Sequence, residues 1–368
     1  MISTPIRQFP SEKSLNLLSR LLLERGADGA LKSGLRSELL SLSHAQLEDM
    51  LRLAQLNHVV IRGLEAFEVI VREARDTERA GWARRALDAE RSRIDTAALF
   101  LDEICAVFVD NGYGVSVIKS LDHWPDMGSD LDLYTDAEPE QVCDLMQSRF
   151  NATISARSWG DRLACKWNFE IPSLPEAVEV HVGRLGQTGE QVAIASSLLM
   201  RTRQTDVGGH RFRLTSVSDR LLISTLQRMY RHFYFRLCDI LDSAQLVEAG
   251  MIDYDDLHEA ATRADIWKGV ATYLAIVSDY VRSYRGTELE LPKRVKDAAQ
   301  FGGQDVYYAR GFLRVPILPQ SARLYTAQFA GVLGKRELHN CARLSLLPWL
   351  ATAAVVGQKL TGSDKGIW

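Results

Sequence analysis

Asp130 and Asp132 stand two residues apart in the stretch Gly128-Ser129-Asp130-Leu131-Asp132-Leu133. On a strand, side chains at i and i+2 share a face, so both carboxylates point one way while Leu131 and Leu133 point into a core. Two acids held side by side repel unless a cation sits between them. Hard oxygen ligands on one rigid face suit Mg²⁺, which keeps some waters and takes further ligands from a phosphate. Lys119-Ser120 ends the apolar run before the acids, and Gly128-Ser129 directly precedes them. Small residues and a lysine beside a metal site suit a polyphosphate.

A third acid lies on a later run, Val178–Val182, whose valines alternate with Glu179 and His181. If that strand lies beside the Asp-x-Asp strand, Glu179 becomes a third metal carboxylate. If it lies at the surface, Glu179 and His181 simply face water. Residues 201–236 hold eight arginines against Asp206 and Asp219. The stretch Asp219–Val247 reads as one helix, on which Arg228, His232 and Arg236 recur at i, i+4 and i+8, with Asp239 further along. Like charges stacked on one face need an anion or nearby acids. A nucleoside triphosphate is one candidate, and salt bridges to Asp239 and Asp242 are the alternative.

The elements that must position these residues can be read around them. Residues 11–110 read as helical, with a leucine stripe over residues 15–22. Ser43 and Gln46 have the form of a capping box. Arg72–Arg93 is a charge run, read as a solvated helix face. Ile94, Ala97, Leu101, Ile104 and Phe108 then give a buried stripe, and Asn111-Gly112 a helix stop. A strand at Val115–Ile118, a helix over Ala137–Phe150 and a hairpin of Trp167–Ile171 with Val178–Val182 follow. Residues 211–214 suit another short strand and 253–283 further helices. Residues 284–368 read as mixed, with loops at Gly302-Gly303 and Pro316–Pro319.

The expected fold is α+β: a small mixed sheet with helices, flanked by N-terminal and C-terminal helical regions. The expected divisions are 1–110, 111–215, 216–300 and 301–368. The chain's 368 residues, 46% of them apolar and 25% charged, are ordinary for a soluble globular protein. A net charge of −3 gives no overall attraction to nucleic acid or an acidic membrane. The five cysteines are scattered without a Cys-x-x-Cys pair, which argues against a zinc ribbon or a disulfide framework and fits a reducing cytoplasm. The N-terminal residues lack the apolar core of a signal peptide. The longest apolar run, Leu344–Gly357, contains Pro348, is too short to span a bilayer, and reads as a buried helix or strand pair.

The order Ile118-Lys119-Ser120, Gly128-Ser129-Asp130-Leu131-Asp132-Leu133 and Glu179-Val180-His181 resembles the DNA polymerase beta-like nucleotidyltransferase superfamily. It is most similar to a branch of uncharacterised bacterial nucleotidyltransferases, over roughly residues 50–280. That branch also carries a helical His and a later Asp, as His232 and Asp239 stand here. The resemblance implies that Asp130 and Asp132 are paired metal ligands and Glu179 the third carboxylate, where the superfamily more often has Asp. It places Lys119 and Ser120 at the turn that approaches the phosphates, with Ser120 where the branch has Gly. Gly128 and Ser129 are candidate backbone donors.

The implied chemistry uses two Mg²⁺ ions about 3.5–4 Å apart. A nucleoside monophosphate passes from an NTP such as ATP to an acceptor hydroxyl, and pyrophosphate leaves. Lys119, Arg228 and Arg236 are candidates to neutralise the triphosphate, and His181 is a partner of the ligands, since Mg²⁺ prefers oxygen. A small-molecule acceptor is favoured over a protein one, and RNA is least favoured, because no basic strip with interleaved aromatics is present. Two rivals remain. One is a nucleotide-sugar glycosyltransferase, which also uses Asp-x-Asp but normally begins with an α/β domain. The other is a nucleotidyltransferase fold kept as a non-catalytic binding module. Intact paired acids count against the second, since without a metal they would only repel.

Overall fold

The computed structural model describes residues 11–24, 33–350 and 352–353. Five helices lead: α1 (Glu12–Leu23), α2 (Ser33–Leu40), α3 (His44–Leu56), α4 (Val60–Glu73) and α5 (Thr77–Asp110). Each start has a local cause. The Ser43 and Gln46 side chains each satisfy the other's backbone N–H, as the capping box requires. Asp76 accepts from the Arg79 N–H and opens α5. The Arg72–Arg93 charge run is not one helix. It is split where α4 ends and Arg75 turns back at φ +59°. The later part of α5 buries Ile94, Ala97, Leu101, Ile104 and Phe108 as the periodicity requires. Asn111 caps it, and Gly112 leaves at φ +82°, where a side chain would be strained.

The chain then builds a sheet. In order come β1 (Val115–Val117), β2 (Asp130–Thr135), α6 (Pro139–Phe150), β3 (Thr153–Ile154), α7 (Trp159–Leu163), β4 (Lys166–Glu170), β5 (Ala177–Val182), α8 (Val192–Leu198), β6 (Arg203–Val207) and β7 (His210–Leu214). The seven strands lie in the order β3-β4-β5-β2-β1-β7-β6. The sheet is mixed: β2 runs parallel to β5 and antiparallel to β1, while β4 and β5 form the expected hairpin. Val178 and Val180 are fully buried on one face of β5, and Leu131 and Leu133 on one face of β2.

After the sheet come α9 (Val217–Thr225), a π-helical segment (Leu226–Arg231), β8 (Tyr234–Phe235), α10 (Leu237–Glu248), α11 (Tyr254–Arg263), α12 (Trp267–Arg285), α13 (Lys293–Ala298), β9 (Tyr307–Ala309), β10 (Phe312–Arg314), α14 (Ala322–Gly334) and α15 (Leu338–Ser345). The single helix expected over Asp219–Val247 is therefore wrong. α9 widens into the π-segment, Phe233 turns at φ +54°, and β8 pairs with β10 in a second sheet of order β8-β10-β9. Aromatic residues at 233–235 suit a pleated surface, and their long-range pairing overrides helical periodicity. Asp239 then accepts from the Arg236 N–H and starts α10.

One apolar cluster runs from Leu15 to Leu324, so the leading helices, the large sheet and α9–α12 share a core. Val332, Cys341, Leu344 and Leu347 form a separate small cluster. The apolar run from Leu344 is not buried throughout, because Leu346 and Trp349 are exposed; most of its remainder lies outside the described residues. Among the described residues, no helix is long and apolar enough to cross a membrane.

Candidate functional site

The parallel pairing of β2 with β5 sets Asp132 directly opposite Glu179 and Asp130 opposite Ala177. Asp130 lies two residues before Asp132 on the same face, at the more open end of β2. All three acids line one cavity of about 160 Å³. His181, next along the Glu179 face, puts Nε2 2.8 Å from Glu179 Oε1 and 3.8 Å from Asp132 Oδ1. Ligand atoms of Asp132, Glu179 and His181 lie within 4.8 Å of one another, close enough to share one ion. The polar face of β5 thus meets a cleft and not open water.

The acids are not left to repel one another. Lys119 Nζ forms an ion pair with Asp132 and lies 3.2 Å from Glu179 Oε1. Lys166, at the start of β4, lies 2.8 Å from Glu179 Oε2 and 2.7 Å from Asp161 Oδ1. This corrects the expectation that the pair needs a metal to be tolerated. Burial alone would raise the Glu179 carboxyl, but Lys119, Lys166 and His181 outweigh it and hold the group well below the usual range. Asp130 has no such cation in contact among the described residues. Loss of water, then the nearby charges of Asp132 and Glu179, push it up to about 6.

The loop that carries Lys119 is tightly made. Lys119 sits at φ +63°, and the Ser120 N–H reaches the Ile118 carbonyl at 2.6 Å. A lysine held there costs about 1–3 kcal/mol and persists only where its surroundings fix it. Ser120 does part of that fixing. Its hydroxyl accepts from the Asp132 N–H at 2.6 Å and donates to the Asp130 carbonyl at 3.2 Å. The Ser120 hydroxyl therefore ties the loop to β2, although the residue borders the cavity. Gly128 and Ser129 also border it, and the Gly128 carbonyl accepts from Arg93 Nη1 at 3.2 Å.

Arg228 and Arg236 both reach the cavity, but not from one helix face. Arg228 is in the π-segment and Arg236 precedes α10. Arg228 is 2% exposed and pairs with Asp239, Nε to Oδ2 at 2.7 Å, so its alternative reading as a structural salt bridge holds. Three other arginines of residues 201–236 are spent likewise: Arg201 on Asp219 and Asp256, Arg211 on Asp206, and Arg220 on Asp122. Arg231 and Arg236 line the cavity with no carboxylate ion pair among the described residues, and Arg236 Nε is buried without a partner. These two are the cations left for an anion.

Several residues escaped sequence reasoning. Lys166 sits opposite His181 in the β4–β5 register, a placement that only the pairing reveals. Arg231, His58, His123 and Tyr234 come to the cavity from the π-segment, two connections and β8. No family model, curated protein or solved structure matches this chain.

Proposed function

We propose that the cavity is a nucleotidyl-transfer site, passing a nucleoside monophosphate from an NTP to an acceptor hydroxyl. The observation that carries this reading is the β2–β5 register, which brings Asp130, Asp132 and Glu179 from distant parts of the sequence to one cleft. Asp132 and Glu179, with the His181 imidazole beside them, are a donor set for a divalent cation, and with Asp130 on the same cavity wall these acids would hold Mg²⁺. When bound, the ions supply charge neutralisation at the phosphates and activate the acceptor hydroxyl.

The chain's own residues do the rest. Lys119, whose ammonium lies between Asp132 and Glu179 at the cavity, would offer its charge to the phosphates. Arg231 and Arg236, which line the same cavity, would neutralise the triphosphate. Lys166 keeps its hold on Glu179 and fixes that carboxylate's direction. At about 160 Å³ the cavity is smaller than the roughly 300–1,000 Å³ of sites that engulf a drug-sized ligand. It therefore takes the phosphates and ions, with the nucleoside outside. A small-molecule acceptor remains the preferred partner.

The test is incubation with each of the four NTPs, Mg²⁺ and a panel of small-molecule and protein acceptors, read by mass spectrometry for an added nucleoside monophosphate. Asp132→Asn is expected to lower transfer by at least about 100-fold, as loss of one preorganised charge-stabilising group does elsewhere. Transfer unaffected by Asp132→Asn rules the site out.

One observation favours a second reading, a binding module without catalysis: the Lys119 ammonium already sits between Asp132 and Glu179. In that case an NTP binds equally well with and without Mg²⁺, and no acceptor is modified. A glycosyltransferase has less support, because helices α1–α5 stand where such an enzyme normally carries its first nucleotide-binding domain.

A further inference from the structure

His58, His123 and Cys238 come from three unrelated parts of the chain: the α3–α4 connection, the β1–β2 connection and the first turn of α10. All three are buried, and one potential ligand atom of each lies within 4.8 Å of the others. His123 Nε2 is 3.6 Å from Cys238 Sγ. Tetrahedral zinc, with Zn–S about 2.3 Å and Zn–N about 2.0–2.1 Å, requires a sulfur-to-nitrogen edge of about 3.6 Å. The other His123 nitrogen, Nδ1, lies 2.5 Å from Asp242 Oδ2. A carboxylate on the far nitrogen is the usual outer support of a metal-bound imidazole, fixing its tautomer and direction.

That support is itself anchored. Arg62 lies 2.7 Å from both Asp242 Oδ1 and Asp126 Oδ2, and Asp126 accepts from the Ile61 N–H at 2.6 Å. His58 adds the second independent sign. Its Nδ1 is buried and has no hydrogen-bond partner among the described residues, a costly state for a polar atom that a metal bound at that nitrogen would relieve. His58 and His123 both border the acid-lined cavity, whereas Cys238 lies behind them. An ion held by the three would therefore keep one position open towards the cavity, as three-ligand zinc sites do.

We propose that His58, His123 and Cys238 form a second metal site, for Zn²⁺, with Asp242 orienting His123. Two imidazoles and a thiolate are soft or borderline donors that select zinc over Mg²⁺, so this site and the carboxylate cluster sort different ions into one cleft. The proposal stands on these residues alone, independently of nucleotidyl transfer.

The test uses the full chain freed of metal with a chelator and titrated with Co²⁺, whose bond to a thiolate gives a charge-transfer absorption that carboxylate and imidazole ligands cannot give. One Co²⁺ per chain with that band, displaced by Zn²⁺, is expected. Cys238→Ser is expected to remove the band, whereas Asp132→Asn, which alters only the carboxylate cluster, keeps it. His58→Gln orphans no hydrogen-bond partner among the described residues. It is expected to weaken Co²⁺ binding by at least about 100-fold, more than the 10–100-fold typical of losing an outer support. A wild-type chain without the band, a band that survives Cys238→Ser, or unchanged affinity in His58→Gln each overturns the site. The wild-type spectrum decides the matter even if Cys238→Ser fails to fold.

Discussion

Ser120 and Arg228 show how one side chain can border a site and still serve the fold. The Ser120 hydroxyl is the partner of the Asp132 N–H. Ser120→Ala leaves that buried donor unmet and is expected to cost about 1–3 kcal/mol in urea unfolding. Unchanged stability would mean that the hydroxyl is free for a ligand. Arg228 and Asp239 are each about 2% exposed. Removing one partner leaves a buried charge, so Asp239→Ala is expected to destabilise by about 3–5 kcal/mol. A loss below 1 kcal/mol in the same assay would show that Arg228 finds its counter-charge elsewhere. The shared face of Asp130 and Asp132 was legible in the sequence because strand alternation fixes it. Spacing left Glu179 open between the site and the surface, and only the pairing of β2 with β5 brings it in. Nor was Lys166 legible, since its meaning depends on β4 lying antiparallel to β5, with Lys166 facing His181 across the pair.

At the scale of elements, the π-segment decides how the site is walled. Tyr230 within it is buried against α12, and a Cβ at Gly269 would come within 2.6 Å of Tyr230 Cε2. Gly269→Ala therefore has no room, and a buried ring cannot swing away. The expected cost is about 1–3 kcal/mol in denaturant unfolding, with the segment that carries Arg228 and Arg231 displaced. A variant as stable as the parent would show that α12 and the π-segment are not closely locked. The helical character of residues 11–110 and the β4–β5 hairpin were legible, because caps and periodicity act locally, but the break between α4 and α5 inside the charge run was not. The break between α9 and α10 was not: residues 219–247 carry helical periodicity, and only pairing of β8 with β10, far along the chain, makes an extended conformation better.

For the whole molecule, stability is tied to acids that hold helices together. The Arg201 hydrogen bond lowers the Asp256 carboxyl below its ordinary value, and the Arg79 N–H does the same for Asp76. Both groups have depressed folded values. Their contribution is therefore fully present above the unfolded carboxylate value of about 3.9 and is lost as pH falls through the folded values. Circular dichroism at fixed urea is expected to show stability falling below about pH 4, with Asp256→Asn flattening that fall. A fall of equal steepness in the variant would remove Asp256 from the account.

The small sheet has a consequence of its own. Tyr234, in the cavity wall, stacks on Phe312 with ring centres 4.4 Å apart, lies 4.9 Å from the Arg314 guanidinium, and is paired to Arg314 in register. The ribbon formed by β9 and β10 thus backs the cleft wall at Tyr234. Changes in its packing would adjust the width of the opening and the grip on whatever occupies it, leaving every charged group in place.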